Sequence, residues 1–177
     1  MRVVSGKYKG RKLKEFNLNT TKPTLDKVKE AIFDMIQFDV VDSVVLDLFS
    51  GTGALGIEAI SRGAKKTYLV DNNVQAIKII KENLKGVTED FSVINQNGLE
   101  FLKLTNEKFD IVLLDPPYQT DLGLKAIEIL INENKLNENA IIIFETSDAL
   151  NIELNYPNFK ITKKKYGTVA VFKMVKQ

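Results

Sequence analysis

The chain contains no cysteine and no histidine. Without thiols there is no disulfide and no zinc–thiolate centre. Without imidazole there is no Ser–His nucleophile and no histidine general base. Ser50 lies among glycines, but nothing is available to activate it in the usual way. No apolar run approaches the roughly 20 residues that span a bilayer. The opening stretch MRVVSGKYKG lacks the apolar segment of a secretory signal. These absences predict a soluble, cytoplasmic protein with no metal site. Carboxylates, amides, hydroxyls, lysines and the backbone remain to do its chemistry. At 177 residues, 44% of them apolar, the chain can bury the core of one domain and carry a small appendage.

Charge of one sign is scarce where it is least expected. The net charge is only +2, yet residues 1–29 hold nine basic side chains (Arg2, Lys7, Lys9, Arg11, Lys12, Lys14, Lys22, Lys27 and Lys29) against Glu15 and Asp26. That stretch is therefore +7 and the rest of the chain −5. A basic arm on an acidic body suggests a polyanionic partner, although a lysine-rich solvated surface has the same composition.

Internal repeats and low-complexity segments are absent as well. The start reads as a hairpin, with residues 3–5 and 11–13 flanking a turn-prone stretch from Gly6 to Gly10. Residues 17–22 are polar and read as a linker, so residues 1–22 form an arm and 23–177 the main domain. A helix should begin at Pro23-Thr24, continuing through Leu25, Val28, Ile32 and Ile36 at helical spacing. From Val44 strands and helices alternate. Strands are expected at 44–48, 66–70, 91–95, 109–114 and 140–145, and helices at 54–62, 73–85 and 122–131. That alternation predicts a mostly parallel sheet covered on both faces. Residues 159–165 and 168–175, joined at Tyr166-Gly167, should close it as an antiparallel hairpin. This is the α/β layout of a Rossmann-like class I methyltransferase.

The first strand runs into Asp47-Leu48-Phe49-Ser50-Gly51-Thr52-Gly53-Ala54-Leu55-Gly56. Glycines let the backbone turn sharply and let a ligand press against it. Ligands of parallel sheets bind at the carboxyl ends of strands, which is where this loop falls. Gly51-x-Gly53-x-x-Gly56, with Asp71 ending the second strand, also matches the dinucleotide fingerprint. Asp47 weighs against a dinucleotide, since a carboxylate beside the glycines repels a pyrophosphate. S-adenosylmethionine carries no phosphate, and its ammonium suits that carboxylate, directly or through water. Asp71 can accept both ribose hydroxyls. A tight turn with no ligand would satisfy the glycines alone.

The fourth strand ends in Asp115-Pro116-Pro117-Tyr118. An exocyclic base amine is a poor nucleophile because its lone pair is delocalised into the ring. Accepting hydrogen bonds from both of its N–H groups pulls the nitrogen towards a pyramidal geometry. The Asp115 carboxylate supplies one acceptor and the Pro116 carbonyl the other, held by the stiffness of two prolines. Tyr118 offers a ring on which an extruded base can stack. The bland reading is a Pro-Pro loop with Tyr118 merely packing.

Taken together these residues resemble the RsmD-type methyltransferases, which modify the N2 amine of a guanine in small-subunit ribosomal RNA. The resemblance covers most of the chain: the opening from Arg2 to Leu13, then Pro23-Thr24 with Asp26, Val28, Lys29, Glu30 and Phe33, then Asp47 to Gly56, Ser61 to Ala64, and Asp115 to Tyr118. It implies S-adenosylmethionine as cofactor, held by Asp47, Phe49, Ser50, Gly51, Gly53, Asp71, Asn72, Asn97 and Gly98. It implies catalysis by Asp115, Pro116 and Tyr118. RNA, free or in the assembled small subunit, should be bound by Arg2, Lys7, Lys9, Arg11, Lys12, Lys22, Thr24 and Pro117, and a monomer is expected. Three positions depart from the family. Lys22 stands where Arg is common, losing the bidentate fork. Ser50 replaces a common Ala. Asn97 stands where an Asp usually meets the adenine amine, and its side-chain oxygen can still accept that bond.

Overall fold

The computed structural model describes residues 1–16 and 23–177, with backbone alone for 23–25. The linker expected over residues 17–22, Lys22 included, lies outside the described residues. Helix α1 (Pro23–Met35) precedes the alternating body, in which Thr24 occupies the first turn. The body runs β1 (Val44–Leu48), α2 (Ala54–Ser61), β2 (Lys66–Asp71), α3 (Val74–Asn83), β3 (Phe91–Asn95), α4 (Gly98–Leu104), β4 (Phe109–Leu114), α5 (Leu122–Asn132), β5 (Leu136–Ser147), β6 (Phe159–Tyr166) and β7 (Val169–Lys176). The seven strands form one sheet in the order β3-β2-β1-β4-β5-β7-β6. The first five are mutually parallel, and β7 runs antiparallel to both β5 and β6.

Both faces of the central strands are covered, which is why they read as continuous apolar runs and not as alternation. Val45, Ile111, Leu113, Ile141 and Ile143 point to the side covered by α1, through Val28, Ile32, Phe33 and Ile36. Leu46, Leu48, Val112, Leu114 and Ile142 point to the other side, against α4 and α5 through Phe101, Leu102, Ile127 and Leu130.

Three expectations need correction. The segment after β3 forms α4, a helix missing from the sequence reading; at seven residues it is barely two turns, and Asn97-Gly98 at its start resembles a turn. Strand β5 begins four residues before the expected start, because Leu136 pairs with Phe109 ahead of an irregularity in the ladder, while the polar Asn137-Glu138-Asn139 hides the continuity. The N-terminal arm is not a ladder of two strands. It closes through a single antiparallel bridge between Arg2 and Lys12, with Val3 donating to the Arg11 carbonyl at 2.9 Å and Gly10 to that of Val3 at 2.9 Å.

The arm is packed against the body. Val3 and Leu13 are buried in one cluster with Ile57, Ile60, Leu69 and Ile80. Glu58, on α2 and fully buried, accepts hydrogen bonds from the Val4 and Ser5 backbone N–H groups (2.9 and 3.0 Å) and from Arg62 Nε (2.8 Å). Lys29 Nζ lies 3.3 Å from the same carboxylate and also donates to the Arg2 carbonyl. Gly6 adopts φ +84°, and a Cβ there would stand 1.8 Å from the Ser61 carbonyl oxygen, so the arm touches α2 where only glycine fits.

Removing one partner from a buried ion pair strands the other, at a cost of about 3–5 kcal/mol. Glu58→Ala is therefore expected to lower the unfolding free energy by about that much in urea titrations. Deleting residues 1–14 is expected to destabilise the body as well, and a truncated protein with unchanged stability would show that the arm adds nothing to the core.

Candidate active site

Parallel register places the strand exits in one row. Leu48 of β1 pairs with Val70 of β2 and Leu114 of β4, and Leu114 pairs with Phe144 of β5. The next residue on each strand is then Asp71, Phe49, Asp115 and Glu145, in that spatial order along the carboxyl edge. All four line a cavity of about 650 Å³. Ser50, Gly51, Asn72, Asn97, Gly98, Pro116, Pro117 and Tyr118 line it too. With Asp47, thirteen residues spread over the sequence from position 47 to position 145 are thereby gathered at one site.

The glycine loop is built around two carboxylates. Asp47 Oδ2 accepts the Gly56 N–H at 2.8 Å, an approach that requires glycine, since a Cβ on Gly56 would lie 2.9 Å from that oxygen and 2.7 Å from Leu69. Asp71 accepts the Gly51 N–H through Oδ2 (2.9 Å) and the Asn73 N–H through Oδ1 (2.8 Å). Each carboxylate oxygen retains a further lone-pair site for a ligand. Phe49 holds φ +66°, costly for a side-chain-bearing residue and characteristic of a ligand loop. Gly53 does not reach the cavity. It turns the chain into α2 as its N-cap, at φ +80°.

Asn97 differs from its expected part. Its Oδ1 accepts the Leu99 and Glu100 N–H groups at 3.0 and 3.1 Å and caps α4. The oxygen is thus committed to the helix, and the amide N–H₂ is the end left for a ligand.

At the chemical end, enclosure by protein raises the Asp115 carboxyl well above the usual range, and the neighbouring charges of Glu145 and then Asp47 push it further. Its side chain is nonetheless accessible from within the cleft. Tyr118, half-exposed, donates its hydroxyl to Glu145 Oε1 at 3.1 Å. Burial also raises Glu145, with the Tyr118 bond opposing it. Burial alone is the largest influence on Asp47, which is pushed up to about 7.

Among the described residues, the basic side chains expected to bind substrate, Arg2, Lys7, Lys9, Arg11 and Lys12, do not line this cavity. Arg2, Lys9 and Lys12 are exposed on the arm and make no ion pair among the described residues. Lys7 pairs with Glu89 at 2.6 Å, and Arg11 donates to the Lys85 carbonyl and lies over the Tyr8 ring. Sequence reasoning missed Glu145, although it follows the apolar run of β5 as Asp71 and Asp115 follow those of β2 and β4. It also missed Lys29 and Asn83. Asn83 bonds both the arm, at Lys14, and the glycine loop, at the Thr52 carbonyl.

Comparisons with known proteins identify the family and the fold. A family model described as "Conserved hypothetical protein 95" matches residues 1–175. The ribosomal RNA small subunit methyltransferase D of Buchnera aphidicola subsp. Baizongia pistaciae is 37% identical over 97% of this chain and 88% of its own. Its namesake from Haemophilus influenzae is 39% identical over 82% of this chain and 78% of its own. The solved structure of yhhF from Escherichia coli superposes with a TM-score of 0.90 at 28% identity, covering 100% of this chain and 98% of that one.

The Asp47 shift sets a pH dependence. A carboxyl whose folded-state pKa is raised stabilises the fold fully below its unfolded value near 4, and that contribution is lost as pH rises through about 7. One proton limits the slope to about 1.4 kcal/mol per pH unit. Urea unfolding of the wild type between pH 4 and 8 should fall more steeply than that of Asp47→Asn; equal slopes would show that Asp47 is ionised throughout.

Proposed function

From the premise that this chain belongs to the RsmD-type methyltransferase family, matched by the model over residues 1–175, we propose that its cleft methylates the N2 amine of a guanine in small-subunit ribosomal RNA, with S-adenosylmethionine as donor. The substrate is naked RNA or the assembled small subunit, and the enzyme acts as a cytoplasmic monomer. The observation that carries the reading is the row formed by Asp71, Phe49, Asp115 and Glu145 along the carboxyl edge of the parallel strands, on one cavity.

The residues fit this cofactor better than a dinucleotide. Asp47, Asp71, Asp115 and Glu145 surround the cavity, and Lys29, the one basic side chain among the described lining residues, already faces Glu58. A pyrophosphate would meet repulsion there, whereas a sulfonium and an ammonium would meet attraction. Asp71 would hold the ribose diol, Asp47 the ammonium end, and Phe49, Leu99 and the Asn97 amide the adenine. When bound, the cofactor supplies an electrophilic methyl carbon.

The chain's own residues prepare the amine. Asp115 accepts one N–H and the Pro116 carbonyl the other, which localises the lone pair on nitrogen. The enclosure that raises Asp115 also makes it the more basic, so it is suited to hold the proton the amine releases. The Tyr118 ring stacks the extruded base. Outside the cleft, Arg2, Lys9 and Lys12 are free to meet phosphates, which supports the arm as an RNA contact as well as a structural one.

Labelled methyl transfer to small-subunit RNA and to small subunits, followed by nucleoside analysis, should yield N2-methylguanosine; label on another base, or none, overturns the proposal. Asp115→Ala should lower the rate by about two orders of magnitude or more while S-adenosylhomocysteine binds almost normally in calorimetry. Tyr118→Ala should be severe and Tyr118→Phe mild, because stacking uses the ring and is worth about 1–3 kcal/mol per base. Equal damage from both would assign the role to the hydroxyl.

A further inference from the structure

Two acids stand side by side at the carboxyl edge shared by β4 and β5, Asp115 just beyond β4 and Glu145 still within β5, opposite Val171 of β7. The parallel pairing of Leu114 with Phe144 sets Asp115 and Glu145 on neighbouring strands, a separation of about 4.8 Å between backbones. Asp115 already has a task in the reading above, but Glu145 does not. Its side chain is only 5% exposed, yet it lines the cavity. No cation pairs with it among the described residues, and its recorded partner is the Tyr118 hydroxyl on Oε1. Burying a carboxylate with so little compensation is costly unless the second oxygen serves a ligand.

The Tyr118 bond ties the acid, through Oε1, to the hydroxyl at the rim of the ring on which the base is expected to stack, a position suited to the edge of a stacked base and not to its face. The edge of guanine nearest the reacting amine carries two adjacent donors, N1–H and N2–H. Adenine instead presents an acceptor, N1, beside its amine. Two neighbouring carboxylates match the first pattern and oppose the second.

We propose that Glu145 is the specificity-determining residue that reads guanine, accepting N1–H while Asp115 accepts N2–H. The inference rests on the cleft being a guanine-N2 methyltransferase site. A site built to accept a donor rejects an analogue that lacks it, because the buried acceptor is then left unpaired. Asp115 is accessible from the cleft and Glu145 lines it, so both carboxyls are within reach of a base that enters.

The test uses ribosomal RNA transcripts carrying either guanine or 2-aminopurine at the position the wild-type enzyme methylates. 2-Aminopurine keeps the amine but has an unprotonated N1. The wild type should favour guanine by at least about tenfold in kcat/KM, as expected for a hydrogen bond to a charged group. Glu145→Gln should reduce that ratio at least about tenfold, since its amide N–H can face the bare N1. Glu145→Asp, which keeps the acceptor, should restore part of the preference. Tyr118→Phe should lower both rates and leave the ratio in favour of guanine. Calorimetry with S-adenosylhomocysteine identifies variants that remain folded. A wild type indifferent to the two bases, or a Glu145→Gln enzyme slowed equally on both, overturns the assignment. Absence of N2-methylguanosine from the wild-type reaction would instead overturn the parent reading, so the two failures are distinct.

Discussion

Everything at the active cleft depends on the register between β1 and β4. These strands are distant in sequence but adjacent in the sheet, and the strand order reverses between them, with β2 and β3 to one side and β5 to the other. At such a reversal the connecting helices leave on opposite faces and open a crevice beyond the strand ends. The pairing of Leu48 with Leu114 aligns the two ends that flank the crevice. Because side chains alternate with a period of two, a slip by one residue would turn Asp47 and Leu48 to the wrong faces and part Phe49 from Asp115. Burial on both faces prevents the slip: Val45 and Ile111 lie against α1, while Leu46 and Val112 lie against α4 and α5.

The arm has two loyalties. Its apolar residues, Val3 and Leu13, belong to the core, and its backbone is fastened to Glu58 and Ser61. Arg2, Lys9 and Lys12 face outward and make no ion pair among the described residues, while Lys7 and Arg11 are engaged by the body. A segment too short to own a core can be ordered only by docking. Docking then presents the free cations in fixed positions, so one set of contacts supplies both stability and a rigid basic surface. Asn83 extends the coupling, since it holds the arm and the glycine loop with one amide.

Much of this was legible in the sequence because the signals were long or chemically dense. Strands β1 and β4 were located by their apolar runs, since a strand buried on both faces needs no other pattern, and the half-buried edge strand β3 also falls at its expected bounds. The acids at the ends of β2 and β4 could be assigned to the cleft by the rule for parallel sheets. Glu145 obeyed the same rule, but its strand was known mainly by its apolar middle, and no motif drew attention to its end. Helix α4 was hidden by its length and its turn-like start, and that helix in turn explains Asn97: a residue seen only as a ligand acceptor proves to be an N-cap. The arm misled for another reason. Two short runs around a glycine-rich turn do suggest a hairpin, but the decisive partner, Glu58, lies more than fifty residues away and is invisible to local pattern.

The cleft also shows how a site can be tuned by what it withholds. Asp47, Asp115 and Glu145 are enclosed, their carboxyls are all shifted upward, and the charge of each of the other two raises Asp115. In the free protein this is a cost, because like charges in a poorly solvated space oppose ionisation. A cofactor bearing an ammonium and a sulfonium removes much of that cost, and a base edge with two N–H donors removes more. The same carboxylates that weaken the empty fold therefore favour cationic and donor-rich ligands and disfavour phosphate-bearing ones. On the proposed reading, selectivity follows from leaving the acids unneutralised: among the described lining residues the one basic side chain is Lys29, and it is paired with Glu58.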